Sequence, residues 1–206
     1  MDSVTIRKDE LSFQLPIGWG LIDLTAPIAE QVDALIDRMS DFAEVDIAPE
    51  QRAAIATDLN AIVENLPSSQ RFVLLVDCQA FRNPATGEPT ISGSTILVTR
   101  NPEKTQTRAQ NLFLELRIKQ PGVELIEMGG VSVLRVVLPE ASEPRQDGTY
   151  PRTVVWTFGV DRQPFWYTAV GIVVSREPGS RDEQFAISVV DAILSGTRIH
   201  LDAKEG

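Results

Sequence analysis

The side chains that most often carry covalent chemistry are scarce in this sequence: its 206 residues include a single histidine, His200, and a single cysteine, Cys78. A serine or cysteine nucleophile needs a base within hydrogen-bond reach and usually a third group that orients the base. With one imidazole, six residues from the end, the expectation is a strand-end or surface histidine and no catalytic residue. Alternation puts Cys78 on the same strand face as Phe72, Leu74 and Val76, with Val73, Leu75 and Asp77 on the other, and there a thiol behaves as a small hydrophobe. Zinc sites built on several Cys and His are excluded by the same scarcity. Neither G-x-G-x-x-G nor G-x-x-x-x-G-K-[ST] occurs, so no Gly-rich phosphate cradle is written in the chain.

Carboxylates are plentiful, 29 in all, and paired acids can hydrolyse glycosides or bind hard cations. Asp41, Glu44 and Asp46 lack the Gly and the distal Glu of a calcium loop. No metal and no cofactor is therefore expected. The aromatic residues Trp19, Trp156, Trp166 and Tyr167 read first as core or half-buried strand positions. A second reading places Trp156, Trp166 and Tyr167 around a small apolar ligand held between a sheet and the last helix.

The net charge is -10 and unevenly spread. Residues 1–68 carry 13 acids and 4 bases, whereas 69–206 carry 16 acids and 15 bases. That field repels phosphate backbones, so nucleic acid is not an expected partner. The 15 arginines against 4 lysines do not cluster along the sequence and read as a scattered surface composition. No apolar run approaches the roughly 20 residues needed to cross a bilayer, and the start has no signal-like apolar stretch. With one cysteine there is no internal disulfide. A cytoplasmic location is the expectation.

The elements that must position these groups follow from periodicity. Residues 9–16 alternate Leu11, Phe13 and Leu15 against Ser12 and Gln14, a strand, with 19–24 as its return partner. Over 27–42 the period becomes helical: Ile28, Val32, Leu35, Ile36, Met39 and Phe42 fall on one face. The opposite face holds Glu30, Asp33, Asp37 and Asp41 within about 80° of arc. A second helix opens at Pro49 with the stripe Ile55, Leu59, Ile62, Val63 and Leu66. Together these form an acidic helical pair over about 27–66.

Strands are expected at 71–81 and 94–99 as a hairpin, a helix at 106–119, and hairpins at 123–138 and 152–175. Ser180-Arg181-Asp182-Glu183 is a capping box opening a last helix of wide apolar arc. Gly196 stops that helix, and a short strand follows at 197–201. Hairpins interleaved with helices, without βαβ alternation, predict one α+β domain over 1–206: an antiparallel sheet of about six to eight strands flanked by helices.

Phe13-Gln14-Leu15-Pro16-Ile17-Gly18-Trp19 resembles the opening of the Mog1/PsbP-like proteins, a group that includes LpqN-type lipoproteins, where an early strand ends in a Pro-x-Gly-Trp turn. Asp191-Ala192-Ile193-Leu194-Ser195 followed by Arg198-Ile199 is similar to that group's C-terminal end. The resemblance implies an antiparallel sheet flanked by helices and a non-catalytic role as adaptor, assembly factor or chaperone. It carries over no catalytic residue. Two readings of function follow. The first is a protein-binding module that docks a basic protein on Glu30, Asp33, Asp37 and Asp41, or through the polar loop 139–151. The alternative is the carrier or sensor of an apolar ligand.

Overall fold

A computed structural model describes residues 3–43, 46–77, 81–82, 89–90, 94–101, 117, 122–128, 131–138, 144, 148–159 and 166–200. Its strands are β1 (Ser3–Lys8), β2 (Leu11–Pro16), β3 (Trp19–Asp23), β4 (Arg71–Asp77), β5 (Phe81–Arg82), β6 (Pro89–Thr90), β7 (Thr95–Asn101), β8 (Val123–Met128), β9 (Val131–Val137), β10 (Tyr150–Gly159), β11 (Trp166–Ser175) and β12 (Arg198–Ile199). The helices are α1 (Ala29–Ala43), α2 (Pro49–Glu64) and α3 (Arg181–Ser195). A seven-stranded sheet runs β3-β4-β7-β11-β10-β9-β8; β1-β2-β12 form a three-stranded sheet and β5-β6 a two-stranded one. Every described pairing is antiparallel. This is the α+β architecture that the alternation of patterns implied. Among the described residues no helix is long and apolar enough to cross a membrane.

Two expectations about the first strands are corrected. A further strand, β1, precedes β2 and pairs with it from Ser3↔Pro16 to Lys8↔Leu11. Its pattern was faint because it is an outer strand, with Val4 half exposed and Lys8 on the core-facing side. Nor is β3 the return partner of β2. It pairs instead with β4, Leu21 opposite Leu75, so the chain changes sheets at the turn Ile17-Gly18.

The main core lies between the seven-stranded sheet on one side and β2 with α3 on the other. Leu11, Phe13 and Leu15 meet Val73, Leu75, Ile96, Val98, Val154, Trp156 and Tyr167, and α3 adds Val190, Ile193 and Leu194. A second core under α1 and α2 covers the opposite face of the sheet near β3, β4 and β7, joining Ile22, Leu74 and Val76 to Val32, Leu35, Ile36, Leu59 and Val63. Phe72 was expected to face the same way as Leu74 and Val76. A register shift between Arg71 and Val73 turns it into the main core with Val73.

The start of α3 also departs from the capping-box reading in one atom. Ser180 Oγ accepts from Glu183 N–H at 3.2 Å, as expected. Glu183 Oε2 reaches one residue further back, to Gly179 N–H at 2.6 Å, because Ser180 N–H is bonded to the Glu177 carbonyl. The wide apolar arc of α3 is only partly used. Val190, Ile193 and Leu194 are buried between the two sheets, whereas Phe185 in the first turn is 61% exposed. The hairpins β8-β9 and β10-β11 lie where expected. The helix expected over 106–119 falls outside the described residues except for Arg117.

Candidate functional site

The acidic face is built by an amphipathic helix with a firm anchor. Gln31 donates to the Asp23 carbonyl at 3.0 Å and to the Pro27 carbonyl at 2.9 Å, and accepts from Asp23 N–H at 2.8 Å. This clamp fixes the rotation of α1 on the end of β3. Val32, Leu35 and Ile36 then face the sheet and are buried. Burial at about 1.5–3 kcal/mol per large side chain outweighs the few tenths lost to each like-charge i, i+4 pair on the other face. Glu30, Asp33, Asp37 and Asp41 are all exposed, as the period required.

They are not equivalent. Asp37 Oδ1 accepts from Arg52 Nη2 of α2 at 2.5 Å, an ion pair across the helical hairpin. That bond neutralises one member of the stripe and ties α2 to α1. The acidic surface is therefore Glu30, Asp33 and Asp41, with Asp37 at its edge towards α2.

The residues of the ligand reading sit elsewhere. Trp156 and Tyr167 are buried in the main core. The Trp156 indole N–H donates to Asp191 Oδ1 of α3 at 3.0 Å, so its one polar atom is already committed. The Tyr167 ring lies 5.2 Å from the Phe72 ring, centroid to centroid, at a tilt of 55°. Trp166 occupies β11 opposite Gly159 and Asn101, and its side chain lies outside the described residues, as does Cys78. Beside these aromatics α3 sits very close to the sheet. A Cβ built on Gly171 would stand 2.6 Å from Val190 Cγ1.

Three polar constellations escaped the sequence because each joins distant segments. Arg135 of β9 binds Asp191 with two parallel bonds, Nε to Oδ1 at 2.9 Å and Nη2 to Oδ2 at 2.6 Å, and Glu124 with a third at 2.8 Å. The Asp191 hydrogen bond, set against partial burial, raises the Arg135 pKa above its already high value. Arg100 pairs with Glu10 at 2.5 Å and lies 5.4 Å over the Phe72 ring. His200, expected as a strand-end histidine, sits just beyond β12 and shares a 2.9 Å hydrogen bond between its Nε2 and Ser12 Oγ.

A fourth pair joins the two sheets. Lys8 Nζ of β1 lies 2.8 Å from Asp23 Oδ2 of β3, and Asp23 Oδ1 accepts from Thr25 N–H at 2.8 Å and Thr25 hydroxyl at 2.6 Å. Burial pushes the Asp23 pKa up, but the hydrogen bonds from Lys8 and Thr25 outweigh it and hold the carboxyl below its usual value. The Asp23 bond, opposed by burial, raises Lys8. A lowered carboxyl stabilises above its unfolded pKa of about 3.9 and loses that as pH falls through the folded value; a raised amine stabilises below about 10.4 and loses it as pH rises through its own. Asp23→Asn is therefore expected to lower stability at pH 7 by roughly 0.5–1 kcal/mol, a solvent-screened value. Urea titrations from pH 7 downward should show the gap between wild type and variant closing below about pH 4. A gap constant with pH refutes the ionic part of this assignment.

Among the described residues no group of His, Cys, Asp and Glu is arranged to hold a metal ion. No protein-family model matches this chain, and no curated protein matches it. The functional reading is therefore carried by the residues themselves.

Proposed function

We propose that this protein acts by binding a basic protein partner on the outer face of α1, as an adaptor, assembly factor or chaperone in the cytoplasm, without catalysing a reaction. The observation that carries the reading is the exposure of Glu30, Asp33 and Asp41 on one face of a helix whose opposite face is locked into the core. Complementary charge on such a face chiefly raises the association rate and sets specificity, and its effect falls with salt. The resemblance of Phe13 to Trp19 and Asp191 to Ser195 to Mog1/PsbP-like proteins supports a non-catalytic role.

Two features weigh for protein binding over the ligand-carrier alternative. The Trp156 indole N–H is spent on Asp191, and α3 approaches Gly171 too closely for even a methyl group. The Ser12–His200 pair weighs little for hydrolysis. Ser12 lies in the middle strand of its sheet, flanked by both β1 and β12, so the nearby backbone N–H groups serve the ladders and not an oxyanion.

The test is charge reversal that spares the Asp37–Arg52 pair. The triple variant Glu30→Lys, Asp33→Lys, Asp41→Lys is expected to melt within a few degrees of the wild type, because surface changes are usually within about 0.5 kcal/mol each. In affinity capture with cross-linking and mass spectrometry, basic proteins cross-linked to α1 in the wild type should fall by about tenfold or more, a loss of about 1.4 kcal/mol. Recovery of the same proteins at the same yield by the variant defeats the proposal.

A further inference from the structure

In the three-stranded sheet β1 has β2 on one side and no described strand on the other. An open edge offers a row of backbone N–H and C=O groups to a further strand, and natural edges are blunted by proline, bulges, shortness or charge. β1 is six residues long, contains no proline, and runs in unbroken register with β2 from Ser3 to Lys8; its charges, Arg7 and Lys8, stand together at one end. By comparison β12 has two residues, and the end strand β8 carries Glu124 and Glu127, both exposed. The side chains of β1 are as incomplete as its edge. Ile6 packs against the main core and Lys8 reaches inward to Asp23 at 2.8 Å, so Val4, in step with them, lies on the core-facing side. Even so, Val4 is 50% exposed and Ile6 only half-buried. Ser3, Thr5 and Arg7 take the outward side, where Gln14 Nε2 donates to Ser3 Oγ at 3.0 Å.

This strand is complementary to itself. Two copies related by a two-fold axis pair antiparallel, and their core-facing residues stay on one side only when some residue lies opposite its own copy. With Thr5 opposite Thr5, each half-exposed Val4 meets Ile6 of the other copy, and each Arg7 meets Ser3. Opposed residues have Cβ atoms about 5 Å apart, close enough for Val4 and Ile6 to cover each other, while the two copies of Arg7 stand about 13 Å apart along the pair, beyond the Debye length. With Ile6 at the axis, Val4 would instead meet Lys8; with Val4 there, only Ser3 to Thr5 would overlap. β1 contains no acid, and the acidic stripe of α1 lies across the seven-stranded sheet from it, so the net charge of -10 is not concentrated at this edge. We infer that a second copy of this chain adds its β1 to this one about a two-fold axis at Thr5, joining two three-stranded sheets into one.

Two short strands make a small interface, so sedimentation of the full chain should show a reversible dimer with a dissociation constant between about 1 μM and 1 mM. Val4→Lys sets a charge against Ile6 of the other copy and should weaken the dimer by about tenfold or more, without moving the melting curve of the dilute protein. Cysteine scanning reads the register. Thr5→Cys brings the two introduced thiols directly opposite each other, with Cβ atoms about 5 Å apart, and mild oxidation should link them. Ser3→Cys leaves them about 13 Å apart, too far for a disulfide. Peptide mapping separates these links from any formed at Cys78. A chain that stays monomeric up to about 1 mM overturns the inference in favour of a different occupant or none. So does a dimer that Val4→Lys leaves intact, or one that Ser3→Cys links as readily as Thr5→Cys.

Discussion

Gly171→Ala is expected to destabilise the protein by about 1–2 kcal/mol, even though alanine is the better residue for an ordinary strand position. The new methyl would stand 2.6 Å from Val190 Cγ1 and 3.6 Å from the Val154 carbonyl. Val190 is fully buried and belongs to a helix, where a β-branched side chain has essentially one rotamer, so it has little freedom to turn aside. Overpacking of this kind costs about 1–3 kcal/mol, against about 0.4–1 gained by restricting the unfolded chain. The clash wins. In a chain of 206 residues the net loss lowers the melting temperature by about 2–8 °C.

The decisive measurement is the double mutant. In a Val190→Ala background the methyl at Gly171 enters the space vacated by Val190, so the same substitution should become neutral or stabilising. A coupling energy of about 1 kcal/mol or more is expected for two residues in direct contact. Equal destabilisation in both backgrounds means that the close approach of α3 to β11 is not what excludes a side chain there. That outcome would also reopen the space beside Trp156 to the ligand-carrier alternative.

How much of this could be read from the sequence depends on the range of the interaction. The acidic face was legible because a helix repeats within four residues: burying Val32, Leu35 and Ile36 forces Glu30, Asp33, Asp37 and Asp41 outward. That β4 pairs with β7 across a long connection was also legible, since two apolar strands flank it; the register, Leu75 opposite Ile96, was not. By contrast, the partner of β2 was misread. Adjacent strands usually pair, but the β2-β3 turn sends the two strands into different sheets, and the neighbours of β2 are an outer strand and the two-residue β12. No local pattern announces that choice.

The Ser12–His200 pair is lost for the same reason, since its members are 188 residues apart. Alternation showed that Ser12 faces away from Leu11 and Phe13; only the docking of β12 on β2 shows what it meets there. For Asp37 the face was readable and the ion pair was not. Arg52 reaches it only because α2 folds back along α1, and the angle between two amphipathic helices is set by packing of both on the sheet.

Asp191→Ala is expected to have the largest single effect, a loss of about 2–3 kcal/mol. Its carboxylate accepts both Arg135 bonds and the Trp156 indole N–H, joining α3 to β9 and β10. Removal leaves the Trp156 donor, in a side chain only 2% exposed, without its carboxylate acceptor, and leaves Arg135 with Glu124 alone. A buried donor deprived of its partner costs about 1–3 kcal/mol, and breaking a fully buried ion pair about 3–5. The Arg135 and Asp191 side chains retain 17% and 25% exposure, so water recovers part of the second cost and the sum falls below the fully buried case. Asp191→Asn keeps one carbonyl oxygen for the indole or for Arg135 Nε but loses the charge and the second acceptor. A loss of about 1 kcal/mol is expected for it. Replacing both partners, Arg135→Met with Asp191→Leu, removes the two desolvated charges together and should cost less than Asp191→Ala alone. Chemical denaturation of the four proteins at pH 7 separates these outcomes. If Asp191→Ala costs under about 0.5 kcal/mol, as an exposed pair would, then the hold of α3 on the sheet comes from Val190, Ile193 and Leu194 without help from the carboxylate.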